Sequence, residues 1–114
     1  LLIKPNFGCS TKKIYAQVRN YSKPQFFKIK SKNINFNTLS KMKNDLDVIS
    51  FKLYPRLRKL RQFFLNIDKN SYVRMTGSGS TIVGYFMSKK AALNAKKLLK
   101  KKYKNYWCNL SKTI

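Results

Sequence analysis

Two β-rich runs, Tyr72 to Met75 and Thr81 to Met87, stand on either side of Met75-Thr76-Gly77-Ser78-Gly79-Ser80. Runs of β-branched and aromatic residues this close together leave few folding choices. Glycine accepts backbone angles that other residues avoid, so the segment predicts a hairpin tip. Ile82, Gly84 and Phe86 would share one face of the second strand, and Val83, Tyr85 and Met87 the other. The glycines also let N–H groups point outward to an anion or a neighbouring loop. Thr76, Ser78 and Ser80 add hydroxyls. A strand follows the glycines where the usual phosphate loops place a helix, which excludes a Walker loop and a dinucleotide fingerprint.

The remaining elements follow from periodicity. Leu1 to Ile3, stopped by Pro5, predicts a strand. Asn6 to Ser10 is turn-like, and Ser10 or Thr11 caps a helix from about Lys12 with Ile14, Tyr15 and Val18 on one face. Asn20 to Asn37 reads as a long polar loop, pinned to the body by Phe26, Phe27, Ile29, Ile34 and Phe36. Leu46, Ile49, Leu53, Leu57, Leu60 and Phe64 step by three or four and form an apolar stripe. Pro55 interrupts it, which predicts two helices, about Leu39 to Tyr54 and Pro55 to Ile67, or one kinked helix. Thr38 or Ser40 would cap an earlier turn. Asp45 is expected in a first helical turn, where it favours the dipole. Asp68 to Ser71 is a turn. Ser88 caps a helix that buries Ala91, Ala92, Ala95, Leu98, Leu99 and Tyr103 and turns its lysines to solvent. Tyr106 to Leu110 closes as a strand. The order β-α-(loop)-α-α-β-β-α-β predicts a single α+β domain over residues 1–114, a mainly antiparallel sheet of about four strands with helices on one face.

Composition restricts the chemistry. The 114 residues carry 26 Lys plus Arg against 3 acids, a formal charge of +23, with no His. Every acid is an aspartate (Asp45, Asp47, Asp68), so a His base, a His-containing metal site and a Glu acid are all excluded. Cys9 and Cys108 make neither a disulfide framework nor a zinc set. Two buried thiols are expected, with a disulfide open only if the terminal strands pair. The charge attracts polyanions, so nonspecific nucleic-acid binding is expected. A genome poor in G and C drifts toward Lys and Asn and would also produce it, but does not explain the missing Glu. No stretch reaches the roughly 18–20 apolar residues that span a bilayer, so no membrane partner is expected. The start, Leu1-Leu2-Ile3-Lys4-Pro5, lacks Met and reads as a strand from the middle of a longer chain. Two thiols and no signal peptide make a reducing cytoplasm the expected compartment.

Several segments then occur in a telling order. Ile3-Lys4-Pro5 leads to Ser10-Thr11-Lys12-Lys13-Ile14-Tyr15. Asn44-Asp45-Leu46 and Tyr54-Pro55 follow, then Arg74 to Ser80, Val83-Gly84-Tyr85-Phe86 and the Ala/Lys helix. Together they resemble the C-terminal half of the 4-diphosphocytidyl-2-C-methyl-D-erythritol kinases, a family of the GHMP kinase superfamily. The resemblance covers nearly the whole chain, loosely in Asn20 to Asn37. It implies a GHMP C-terminal domain fold and part of a phosphotransferase of non-mevalonate isoprenoid biosynthesis. The donor would be ATP with Mg2+, and the acceptor a hydroxyl of a cytidine diphosphate-linked substrate. By the resemblance, Gly77, Ser78, Gly79 and Ser80 form the glycine-rich loop beside the nucleotide phosphates. Thr11 lies near the cytidine pocket and Tyr15 stacks on the cytosine ring, although Lys12 and Lys13 replace a Pro-containing version. The catalytic Asp and Lys and the ATP loop belong to an N-terminal kinase domain, so no catalytic residue is assigned here. The isolated chain is expected to be inactive.

A rival reading is a small basic RNA-binding module using the charge and an exposed platform of Tyr72, Tyr85, Phe86, Tyr106 and Trp107. No RNP-like sequence is present, and core packing is the expectation for those rings. The lysine-rich helix is read as a solvated face. A structural or assembly subunit is a third, weaker reading.

Overall fold

Pro5 has no N–H to give a sheet, and the first strand stops just before it. A computed structural model describes residues 1–24 and 35–113. It contains β1 (Leu2–Lys4), α1 (Thr11–Tyr15), α2 (Phe36–Lys41), α3 (Asp47–Leu53), α4 (Pro55–Leu65), β2 (Tyr72–Met75), β3 (Ile82–Tyr85), α5 (Lys89–Lys102) and β4 (Trp107–Asn109). The strands form one antiparallel sheet in the order β2-β3-β1-β4. The expected α+β architecture with four strands is therefore present.

Register decides which residues meet the helices. Ile3 lies opposite Ile82 on one side and Cys108 on the other, and Val73 lies opposite Gly84. These residues share the inner face with Met75. Ile14, Leu57, Leu60, Phe64, Ala95 and Leu99 close the core against it, all fully buried. Each large apolar side chain so buried contributes about 1.5–3 kcal/mol. The outer face carries Lys4, Tyr72, Arg74, Val83, Tyr85 and Trp107.

Local chemistry explains the helix ends. Ser10 caps α1, its Oγ accepting from the Lys13 amide at 3.3 Å. Ser88 caps α5 by accepting from Ala91. Pro55 opens α4, where its missing N–H costs nothing. After Pro55 the apolar stripe buries Leu57, Leu60 and Phe64 as expected.

Several expectations need correction. The helix expected over Leu39 to Tyr54 is two short helices, and Asn35 caps the first of them rather than Thr38 or Ser40. Phe36 begins α2 and meets Tyr72 edge-on, so only part of the expected loop is loop. The contacts expected of Phe26, Phe27, Ile29 and Ile34 lie outside the described residues. In α3 the buried residues are Ser50 and Phe51, with Ile49 and Leu53 half-buried, because α3 turns its serine toward the glycine loop. Asp47, not Asp45, occupies the first turn. Asp45 instead accepts from the amide and hydroxyl of Ser22 at 2.8 and 3.0 Å. Helix α1 has only five residues, so Ile14 is buried while Tyr15 is half exposed and Val18 lies past its end. Leu98 is exposed on α5.

The expected core packing of the aromatic strands holds only in part. Phe86 packs on Phe64, and Tyr106 stacks on Tyr103. Tyr72 and Tyr85 lie on the outer face, stacked on each other at 5.3 Å, and Trp107 is exposed. Each tyrosine thus already uses one ring face on its neighbour. Both cysteines are free and half-buried rather than fully buried, and burial pushes both thiols above their ordinary pKa. No helix among the described residues is long and apolar enough to cross a membrane.

Candidate functional site

The turn between β2 and β3 is held from three sides. Thr76 donates its amide to the Thr81 carbonyl at 3.0 Å, which closes the hairpin, and the Gly79 amide donates to the Thr76 carbonyl at 2.9 Å. Gly77 and Gly79 have φ of +51° and +91°, angles that an L side chain resists. From the loop before α3, Asn44 Nδ2 donates to the Met75 and Gly77 carbonyls at 3.2 and 2.8 Å. Its Oδ1 accepts from the Leu46 amide at 3.1 Å. From α3, the fully buried Ser50 donates to the Ser78 carbonyl at 3.3 Å. From α1, Thr11 Oγ1 shares a hydrogen bond with Ser78 Oγ at 2.9 Å.

Helix α1 is itself fixed by the Tyr-Pro junction. The Tyr54 hydroxyl accepts from the Ser10 amide at 2.7 Å. This contact joins the residue before Pro55 to the cap of the helix that carries Thr11 and Tyr15. The segments singled out in the sequence therefore converge physically.

Tyr15 and Gly77 line one open groove of about 450 Å3, together with Tyr21, Asn44, Arg74 and Tyr85. The Ser22–Asp45 bonds hold the segment bearing Tyr21 at its rim. The amides of Gly77 and Ser78 have no hydrogen-bond partner among the described residues, and Gly77 is exposed. Thr11 and Ser78 meet beside this groove rather than lining it. Gly79 packs inward, and a Cβ built on it would meet Met75 Sδ, Cys9 Sγ and Leu57 Cδ2 at 3.0–3.2 Å. Ser80 is buried at the foot of β3 and takes no part in the groove's lining. The groove thus offers aromatic faces, cationic Arg74 and Lys43 beside the single carboxylate of Asp45, and the free Gly77 amide. That set suits a flat ring carrying a nearby anion.

Asn44 and Ser50 had no role in the sequence reading beyond Asn44's place in a motif. Their donors reach the loop across the fold, and no local spacing reveals that. Replacing Asn44 with aspartate keeps its shape and its bond to Leu46, but sets a carboxylate against two carbonyl oxygens. Asn44→Asp should lower stability by about 1–3 kcal/mol, read as a fall in the urea midpoint.

The family model described as GHMP kinases C terminal matches residues 27–105. Among curated proteins, the 4-diphosphocytidyl-2-C-methyl-D-erythritol kinase of Pelagibacter ubique is 46% identical over the whole chain, which covers 41% of that protein. The Clostridium tetani protein of the same name is 31% identical over the whole chain, covering 42% of its length. The chloroplastic one of Arabidopsis thaliana is 34% identical across 74% of this chain, which is 23% of that protein. The chain thus spans about two fifths of the length of the bacterial relatives. No solved structure matches it significantly. With its glycine turn clamped between two antiparallel strands and a family match that runs from residue 27 through α5, the chain belongs to the GHMP kinase C-terminal family.

Proposed function

We propose that this chain completes the substrate cleft of an ATP-dependent kinase acting on 4-diphosphocytidyl-2-C-methyl-D-erythritol. The names of its relatives support that substrate. The observation that carries the reading is the placement of Tyr15 and Gly77 on one groove, with Thr11 bonded to Ser78 beside it. In this reading Tyr15 stacks on the cytosine ring, and the Gly77 and Ser78 amides face the phosphates. The step would belong to non-mevalonate isoprenoid synthesis in the cytoplasm.

In this reading ATP and its Mg2+ bind an N-terminal kinase domain. Among the described residues no three His, Cys, Asp or Glu side chains gather to hold a metal ion. Phosphoryl transfer depends on positioning and charge stabilisation. Most of both would lie on that other domain.

Titrating the 114-residue chain with cytidine diphosphate tests the reading. The expected result is saturable quenching of tyrosine fluorescence, weakened about tenfold or more in Tyr15→Ala, since base stacking is worth about 1–3 kcal/mol. Uridine and cytidine nucleotides bound equally well by wild type and Tyr15→Ala would overturn it. The chain alone should give no ATP-dependent phosphorylation of the substrate, and turnover by it would refute the assignment of catalysis to another domain.

A further inference from the structure

A second groove, of about 1320 Å3, runs along the outer edge of β2 between that strand and helices α2 to α4. Three buried side-chain atoms lack a hydrogen-bond partner among the described residues: Asp47 Oδ1, Arg61 Nε and Tyr72 Oη. All three residues line this groove. A buried polar atom left unpaired costs about 1–3 kcal/mol, and native folds contain few of them. The three come from three different elements and meet at one groove, where Arg61 and Arg74 act on the Asp47 carboxylate and Arg74 on the Tyr72 hydroxyl.

The charge around them has one sign. Arg61, Arg74, Lys43 and Lys69 line the groove against a single acid, Asp47. The guanidinium of Arg61 sits over the Phe51 ring at 5.5 Å, and that of Arg74 over the Tyr72 ring at 5.4 Å. Aromatic faces hold these cations while leaving N–H edges free. The Arg74 contact to the Met42 carbonyl is long, at 3.5 Å. Burial pushes the Asp47 carboxyl above its ordinary pKa, and Arg61 and Arg74 draw it back.

Donors on Arg61, Arg74 and Tyr72 call for an anion. The Asp47 oxygen calls for a proton donor in the same ligand. Hydrogen phosphate satisfies both, because its dianion keeps one O–H near neutral pH, whereas a phosphomonoester, with a second pKa of about 6, has mostly lost its own there. Fully ionised sulfate meets only the first requirement and would set its charge against Asp47. We propose that this groove binds inorganic phosphate as hydrogen phosphate, gripped by Arg61 and Arg74 and bonded through its O–H to Asp47. Arg74, Lys43 and Asn44 also line the first groove, so the two sites would share a wall. This site goes beyond the kinase reading and does not depend on it.

The arginine Nε–H signals of the 15N-labelled 114-residue chain make the test local. Five arginines are present, Arg19, Arg56, Arg58, Arg61 and Arg74. Inorganic phosphate, glycerol 3-phosphate and sulfate are titrated separately at constant ionic strength near neutral pH. Phosphate should shift Arg61 and Arg74 saturably and leave the other three unmoved. It should bind about tenfold or more tighter than sulfate, and Asp47→Asn should erase most of that preference, as expected when one charge-assisted bond and one repulsion are removed. Glycerol 3-phosphate, mostly without a phosphate O–H near neutral pH, should bind more weakly than inorganic phosphate, and tighter binding would overturn the contact to Asp47. Equal shifts at all five arginines, no shift at Arg61 and Arg74, or sulfate binding as well as phosphate to the wild type would each overturn the proposal. If Asp47→Asn does not fold, the wild-type preference alone decides. The cytidine titration reads Tyr15, so the two proposals fail separately.

Discussion

Gly84→Val should destabilise the domain by about 3 kcal/mol, and Phe64→Ala by about 3–5 kcal/mol. The two should not add. A Cβ at Gly84 would stand 2.4 Å from Phe64 Cζ, 2.7 Å from Phe64 Cε2 and 3.1 Å from Phe86 Cε2. Phe64 is fully buried and stacked on Phe86 at 6.0 Å, so its ring has nowhere to retreat. Removing that ring opens the space a valine needs. The double variant should therefore lose about 1–3 kcal/mol less than the sum of the singles. Urea unfolding of the four proteins reads the coupling directly. Additive losses would mean that the strand moves to admit the new side chain. Either single loss is a large share of the 5–15 kcal/mol typical of a domain.

Gly79→Ala should be the more damaging of the two turn substitutions. At Gly77 a new Cβ meets nothing within 4 Å, so only the backbone angle resists, at about 1–2 kcal/mol. At Gly79 the angle of +91° adds strain of about 1–3 kcal/mol, and the Cβ presses on Met75, Cys9 and Leu57 at 3.0–3.2 Å. Leu57 is a fully buried core residue. The expected result is a fall in the urea midpoint two- to threefold larger for Gly79→Ala than for Gly77→Ala, by the ratio of those costs. Cytidine diphosphate binding should weaken with it, because Ser78 and Gly77 are carried on the same turn.

The hairpin was legible because everything that specifies it is local: two β-rich runs and two glycines between them. The same holds for α4 and α5, where a cap or Pro55 marks the start and the stripe marks the buried face. Before Pro55 the reading slipped. The stripe through Ile49 and Leu53 assumed that apolar residues face inward, whereas Ser50 is the residue drawn to the glycine loop by its hydroxyl. Helix α2 is six residues long, and its contact partner Tyr72 lies far along the chain. Nothing nearby announces it. Within the site, Tyr15 and the glycines were nameable from their resemblance to a family. Asn44, Tyr21 and Asp45 became partners only through tertiary placement. The second groove was invisible for the same reason, since Asp47, Arg61 and Arg74 sit on three different elements, α3, α4 and β2.

The strand order β2-β3-β1-β4 places residues from one end of the chain between two strands from the other. Leu2 and Ile3 find both neighbours only among residues 82–83 and 108–109. A ribosome makes those partners long after β1. During translation, β1 must wait as an unpaired apolar segment until residues 82–83 and 108–109 have emerged, exposed to chaperones or to another nascent copy. The α3–α4 pair and the β2–β3 hairpin can assemble earlier from near neighbours, so they are the natural nucleus, and insertion of β1 is the natural final step.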